Sequence, residues 1–265
     1  MVLTAGPSTE PLIEVRHVCT RFGSAIVHDD VSLDVYRGEV FSIAGGNGCG
    51  KSTLLREIIL LQQPNSGTIK VFGRNIKEMS EGEARLLHRR CGVMFQHGAL
   101  FSSLTVAENV AAPLREHTSL SRDLIREIAG VKIALTGFPM ESANKYPDEL
   151  SGGMRKRAAL ARAIALDPEI LFLDEPTSGL DPISAGGFDE LVQKLKEWLG
   201  LTMVIVTHDL DSLWRVADRV VLLGQGRVLG TGTMEELSRS EDPLLREYFH
   251  GPRGRAAREQ AWNPK

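Results

Sequence analysis

Residues Gly45-Gly46-Asn47-Gly48-Cys49-Gly50-Lys51-Ser52-Thr53 combine spaced glycines with a lysine and two hydroxyls, directly after the apolar run Val40–Ala44. Without Cβ atoms to obstruct them, consecutive backbone N–H groups can surround phosphates, and a helix starting behind the loop adds its positive end. Lys51 then reaches the β and γ phosphates and Ser52 binds Mg²⁺, so the loop predicts a nucleoside triphosphate site. Leu171-Phe172-Leu173-Asp174-Glu175 places two carboxylates at the exit of another apolar run. The first can hold the Mg²⁺ shell and the second can polarise an attacking water. An acidic pair at a strand end serves equally well as a cap or a solvated pair. Leu150-Ser151-Gly152-Gly153-Met154 opens a helical run and forms a second anion site, because its N–H groups and helix dipole point outward together. One nucleotide does not need two such cradles from one chain.

These residues need a scaffold. Val40–Ala44, Ile170–Leu173 and Val204–Val206 are short and almost wholly apolar, as expected of strands buried on both faces of a parallel sheet. Each precedes a turn and a helical stretch, which predicts an α/β fold with ligands bound at the carboxyl ends of the strands. Asp181-Pro182 supplies a cap and a first-turn proline for a helix whose buried face carries Phe188, Leu191, Val192, Leu195 and Leu199. From about Thr105 to Ala165 the pattern is helical with no convincing strand. Leu33–Tyr36 and Thr68–Phe72 alternate as strands of an antiparallel flank on the main sheet.

The chain has 265 residues, 42% of them hydrophobic and 25% charged, enough for a full core. A net charge of -3 gives no global basic field, so no nucleic-acid partner is expected. Met1–Glu10 does not read as a secretory signal, which predicts a cytosolic address. No apolar stretch approaches the roughly 20 residues of a membrane helix. Cys19, Cys49 and Cys91 are odd in number and lack metal-type pairing, as reduced thiols would. By residue type alone, Phe22 reads as packing, Cys49 as small filler, and His208, His28, His88 and His97 as structural histidines. Arg155, Lys156 and Arg157 read as a solvated helix face.

In order and spacing, the motifs resemble the nucleotide-binding subunit of ATP-binding cassette (ABC) transporters over roughly residues 12 to 240. The resemblance implies a P-loop NTPase of the ABC ATPase fold, with a mainly parallel core at about 12–96 and 160–240, a helical subdomain at about 97–159, and a tail at 251–265. It implies that Phe22 stacks on adenine, while Gln96 senses Mg²⁺, water and the transport subunit. Ser151, Gly152 and Gly153 would contact the γ-phosphate held by the other protomer. Asp174 would be the metal-associated aspartate, Glu175 the general base and His208 the γ-phosphate ligand. Asp181, within Ser178-Gly179-Leu180-Asp181, would couple the two sites. Two copies would sandwich two ATP molecules, which accounts for the two anion cradles.

Phe95-Gln96-His97-Gly98-Ala99-Leu100-Phe101, Pro113-Leu114-Arg115-Glu116-His117-Thr118, Glu149–Met154 and Ala158–Asp167 are similar to the Mla type of ABC ATPase. That type implies phospholipid transport between the membranes of a Gram-negative envelope. The implied partners are an MlaE-like permease of the inner membrane, a periplasmic MCE protein reached through it, and in many systems a STAS-domain subunit. Gly46-Asn47 departs toward importers in general, and Thr177-Ser178-Gly179-Leu180 is the common form of its loop, so a small-solute importer or lipoprotein-release complex stays open. A soluble, non-transport ABC ATPase would usually carry long insertions or two fused cassettes, and neither is present. Gly251–Lys265, with Trp262 as an anchor, is expected to dock on the opposite protomer or on a regulatory subunit.

Overall fold

The computed structural model describes residues 10–250, so the expected anchoring of Gly251–Lys265 through Trp262 lies outside the described residues. In chain order the first elements are β1 (Ile13–Phe22), β2 (Ala25–Val35), β3 (Val40–Gly45), α1 (Lys51–Ile58), β4 (Ser66–Val71), β5 (Arg74–Asn75), α2 (Glu81–Arg90) and β6 (Cys91–Met94). Next come α3 (Val106–His117), α4 (Arg122–Leu135), α5 (Gly152–Ala163), β7 (Ile170–Asp174), α6 (Pro182–Leu199) and β8 (Thr202–Thr207). The chain closes with α7 (Leu210–Val216), β9 (Arg219–Gly224), β10 (Arg227–Gly232), α8 (Met234–Ser238) and α9 (Pro243–His250). These elements form two compact units: residues 10–85 together with residues 202–250, and Leu86–Leu201.

In the first unit β3 lies between β8 and β9, parallel to both, and β10 runs antiparallel beside β9. Every residue of β3 and β8 is buried. That is why both read as almost wholly apolar runs, since a strand covered on both faces has no polar face to alternate with. Burying Phe41 or Ile43 fully stabilises by about 2 kcal/mol each relative to exposure. The antiparallel strands form a sheet of their own in the order β2-β1-β4-β5, with Ile13 opposite both Val35 and Val71. The expected flank therefore exists as a separate layer, because β1 spends both of its edges on β2 and β4.

In the second unit β6 and β7 pair in parallel, Met94 opposite Leu173. Val106, Val110 and Leu114 of α3 recur every four residues, as do Ile125, Ala129 and Ile133 of α4. These two stripes pack with Ala158 and Ala161 of α5 into one cluster, the geometry of amphipathic helices facing a shared core. Thr105 and Glu108 form a reciprocal capping box on α3, and Ser121 caps α4. Asp181 caps α6 through the N–H groups of Ile183 and Ser184, with Pro182 in its first turn. Phe188, Leu191, Val192 and Leu195 are buried on the expected face of α6. No described helix is long and apolar enough to cross a membrane.

Candidate nucleotide site

The glycine loop leaves the carboxyl end of β3 and enters α1. Gly45 holds φ at +147°, and a Cβ there would sit 2.3 Å from the Leu223 carbonyl oxygen on the neighbouring strand. Only glycine fits that approach. Gly50 precedes α1 in left-handed geometry, with no side-chain cap and no acid in the first helical turn. The first-turn N–H groups therefore meet no competing carboxylate. Lys51 is buried and arches back so that Nζ donates to the carbonyls of Gly45 and Gly46, each at 2.9 Å. Its ammonium thus lies over the glycine loop.

Ala44 of β3 stands opposite Thr207 of β8, so His208 leaves its strand at the same level as Gly45. Asp209 follows and caps α7 through the N–H groups of Asp211 and Ser212, which fixes the turn carrying the histidine. Phe22 ends β1 opposite Ala25 and is 52% exposed, so it is not a core residue.

One residue of this unit was not legible as part of the site. His28 of β2 is buried, and its Nε2 lies 3.1 Å from the Gly50 carbonyl oxygen. A carbonyl oxygen only accepts, so Nε2 carries the hydrogen. On the other side of the ring, Nδ1 faces Glu57 Oε2 at 3.3 Å, outside aligned hydrogen-bond geometry, and both side chains are fully buried. Thr20 donates to Glu57 Oε1 at 2.6 Å. Twenty-nine residues separate His28 from Glu57, and no local pattern announces their pairing.

In the second unit the register of β6 on β7 brings Gln96 and Glu175 out side by side, two positions beyond Met94 and Leu173. Asp174 and Glu175 are both buried, which removes the solvated-pair reading of these carboxylates. Glu175 holds φ at +48°, a left-handed conformation uncommon for a residue with a long side chain. Lys156 of α5 reaches both exits: Nζ donates to the Gln96 carbonyl at 2.6 Å and to the Glu175 carbonyl at 2.9 Å. Burial lowers the pKa of this ammonium, opposed by attraction to Glu175 and Asp174. The expectation of a solvated face at Arg155–Arg157 is thus wrong for Lys156, which lies on the helix face of the fully buried Ala159 and Leu160. Its position three and four residues before those apolar side chains was the available signal.

Ser151 caps α5 by accepting from the Met154 N–H, and both it and Gly152 are exposed at the helix start. Asp181 is exposed as well, and hydrogen bonds from Ser184, side chain first, hold its carboxyl below the usual range. After Gln96 the chain is pinned by Arg162, which donates to the carbonyls of Ala99 and Gly98 and lies 5.8 Å from the Phe101 ring centre. Buried Asn109 bonds the same loop at Phe101 and Leu104. Phe101 itself stays 56% exposed.

Residues 28–178 match the sequence model of the family described as ABC transporter. The chain belongs to the ABC transporter family. It is 40% identical over 240 residues to the intermembrane phospholipid transport system ATP-binding protein MlaF of Haemophilus influenzae, covering 91% of this chain and 90% of that one. At 40% over 241 residues it also matches the probable ribonucleotide transport ATP-binding protein mkl of Mycobacterium tuberculosis, covering 91% of this chain and 67% of that one. Among solved structures, the dimeric post-hydrolysis state of the ATP-binding cassette MJ0796 bound to ADP and Pi superposes with TM-score 0.77 at 31% identity, over 83% of this chain and 98% of that one. CbiO1 of Clostridium perfringens does so with TM-score 0.79 at 29% identity, over 95% and 99% of the two chains. This ABC protein has the α/β cassette fold of those neighbours and is an ATPase.

Proposed function

We propose that this ABC protein is the ATP-hydrolysing subunit of a phospholipid transporter, seated on the cytoplasmic face of a Gram-negative inner membrane. The observation that carries the cargo is the 40% identity to MlaF, which spans 91% of this chain and 90% of its relative. Two copies close around two ATP molecules, each held between the glycine loop of one and Ser151–Gly153 of the other. In this reading residues of about 12–96 and 160–240 are the nucleotide-binding core, and about 97–159 form the helical subdomain that meets the permease. An MlaE-like permease, an MCE protein reached through it and a STAS-domain subunit are the proposed partners.

Lys51 and His208 bind the γ-phosphate, Phe22 stacks on the adenine, and the N–H groups from Gly45 to Thr53 surround the phosphates. Glu175 takes a proton from the attacking water as its oxygen bonds to the γ-phosphorus and the bond to ADP breaks. Asp181 relays between the two sites. Ser52, Gln96 and Asp174 are the proposed Mg²⁺ ligands; the donors are all oxygen, the set this hard cation prefers. When bound, Mg²⁺ neutralises charge on the β- and γ-phosphate oxygens.

The likeness to mkl favours a second reading in which the cargo is a ribonucleotide. Purifying the full-length protein with its co-expressed permease, and identifying bound small molecules by mass spectrometry, separates the two. Phospholipid carried with the complex, together with an MCE protein, supports the proposal. A bound ribonucleotide, another small solute or a lipoprotein in its place refutes it.

A further inference from the structure

The buried ammonium of Lys156 has no place in the reaction as described, yet it touches two of its participants. Its Nζ lies within hydrogen-bond distance of both the Gln96 and the Glu175 backbone carbonyls. Burying a cation costs free energy unless acceptors and opposite charge compensate it, and here two carbonyls and the Asp174 and Glu175 carboxylates do so. Retaining such a charge next to a glutamate held in left-handed geometry points to backbone positioning.

We propose that Lys156 is a positioning residue that fastens the Gln96 backbone to the Glu175 backbone, so that a shift of Gln96 moves the proton-accepting carboxylate. This rests on the reading of Glu175 as general base and Gln96 as the residue that senses the transport subunit. The coupling runs through one atom: Nζ cannot follow the Gln96 carbonyl without lengthening its bond to the Glu175 carbonyl. Lys156 itself does not touch substrate. It acts on turnover through Glu175, and ATP affinity, set by the glycine loop, is left alone.

The test uses the full-length protein with Lys156→Met and Lys156→Gln. Methionine fills the volume without donors, whereas glutamine restores an N–H pair able to reach the two carbonyls. Lys156→Met is expected to lower kcat at least tenfold with the ATP dissociation constant changed less than twofold. Hydrogen exchange is expected to rise at residues 95–98 and 174–177 and to stay unchanged in α3. Lys156→Gln is expected to return kcat to within threefold of the parent. A kcat held within twofold in Lys156→Met, equal slowing in both variants, or exchange rising across the whole of Leu86–Leu201 overturns the proposal. If Lys156→Met does not fold, Lys156→Gln decides: a folded variant slowed more than tenfold overturns it, and one within threefold supports it. Failure of the underlying reading shows separately, as parental turnover in Glu175→Gln.

Discussion

Replacing His28 with leucine should separate the stability of the glycine loop's support from the geometry of the loop. The substitution removes the Nε2 bond to the Gly50 carbonyl and leaves Glu57 fully buried, with only Thr20 and, at 3.5 Å, Gln62 on its other oxygen. Stranding one partner of a buried pair costs about 3–5 kcal/mol. Removing both with His28→Leu/Glu57→Leu leaves no stranded partner of the pair, and what remains is the cost of the Thr20 hydroxyl and the Gly50 carbonyl losing their partners, about 1–3 kcal/mol. The double variant is therefore expected to lose about 1–3 kcal/mol, against about 6–10 kcal/mol for the two single losses together, a coupling of about 3 kcal/mol or more read from a double-mutant cycle in urea. Turnover should tell a different story. The double variant regains stability and still lacks the Gly50 bond, so about 1 kcal/mol of loop positioning stays lost, an approximately fivefold rise in KM for ATP. Additive stability losses would refute the buried pair, and a parental KM in the double variant would refute its hold on the loop.

Glu175→Gln is expected to keep ATP affinity, cut turnover by at least about 100-fold as a lost general base does, and accumulate an ATP-dependent dimer in size-exclusion chromatography; parental turnover would remove the general-base assignment. Gly45→Ala places a Cβ 2.3 Å from a backbone oxygen at φ +147°, and should cost about 2–3 kcal/mol in thermal unfolding along with ATP binding, whereas a loss under about 0.5 kcal/mol would show that β3 and β9 separate freely. Burial pushes the Cys91 thiol up to about 12, so at pH 8 it should resist iodoacetamide in the folded protein and react after unfolding; mass spectrometry showing early modification of Cys91 would contradict that enclosure.

The glycine loop, the Ser151–Gly153 helix start, the Asp181-Pro182 cap and the buried strands were legible from sequence because each rests on local physics. Glycine frees the backbone, hydroxyl and carboxylate side chains cap, and a doubly covered strand is apolar at most of its positions. Phe22 was legible only in part: its type suggests packing, and its 52% exposure follows from ending a hairpin. Lys156 was misread because a charge run on a helix is usually solvated, and its burial depends on which face α5 turns toward β6 and β7. The sequence by itself determined the nucleotide chemistry and the family, since motif order and spacing are linear properties. Only the tertiary structure decided that His28 and Glu57 meet beneath Gly50, that β1 gives the antiparallel strands a sheet of their own, and that one buried lysine ties Gln96 to Glu175. The side-chain contacts among these join residues 19 to 60 positions apart, a separation over which no periodicity in the chain carries information about what will touch.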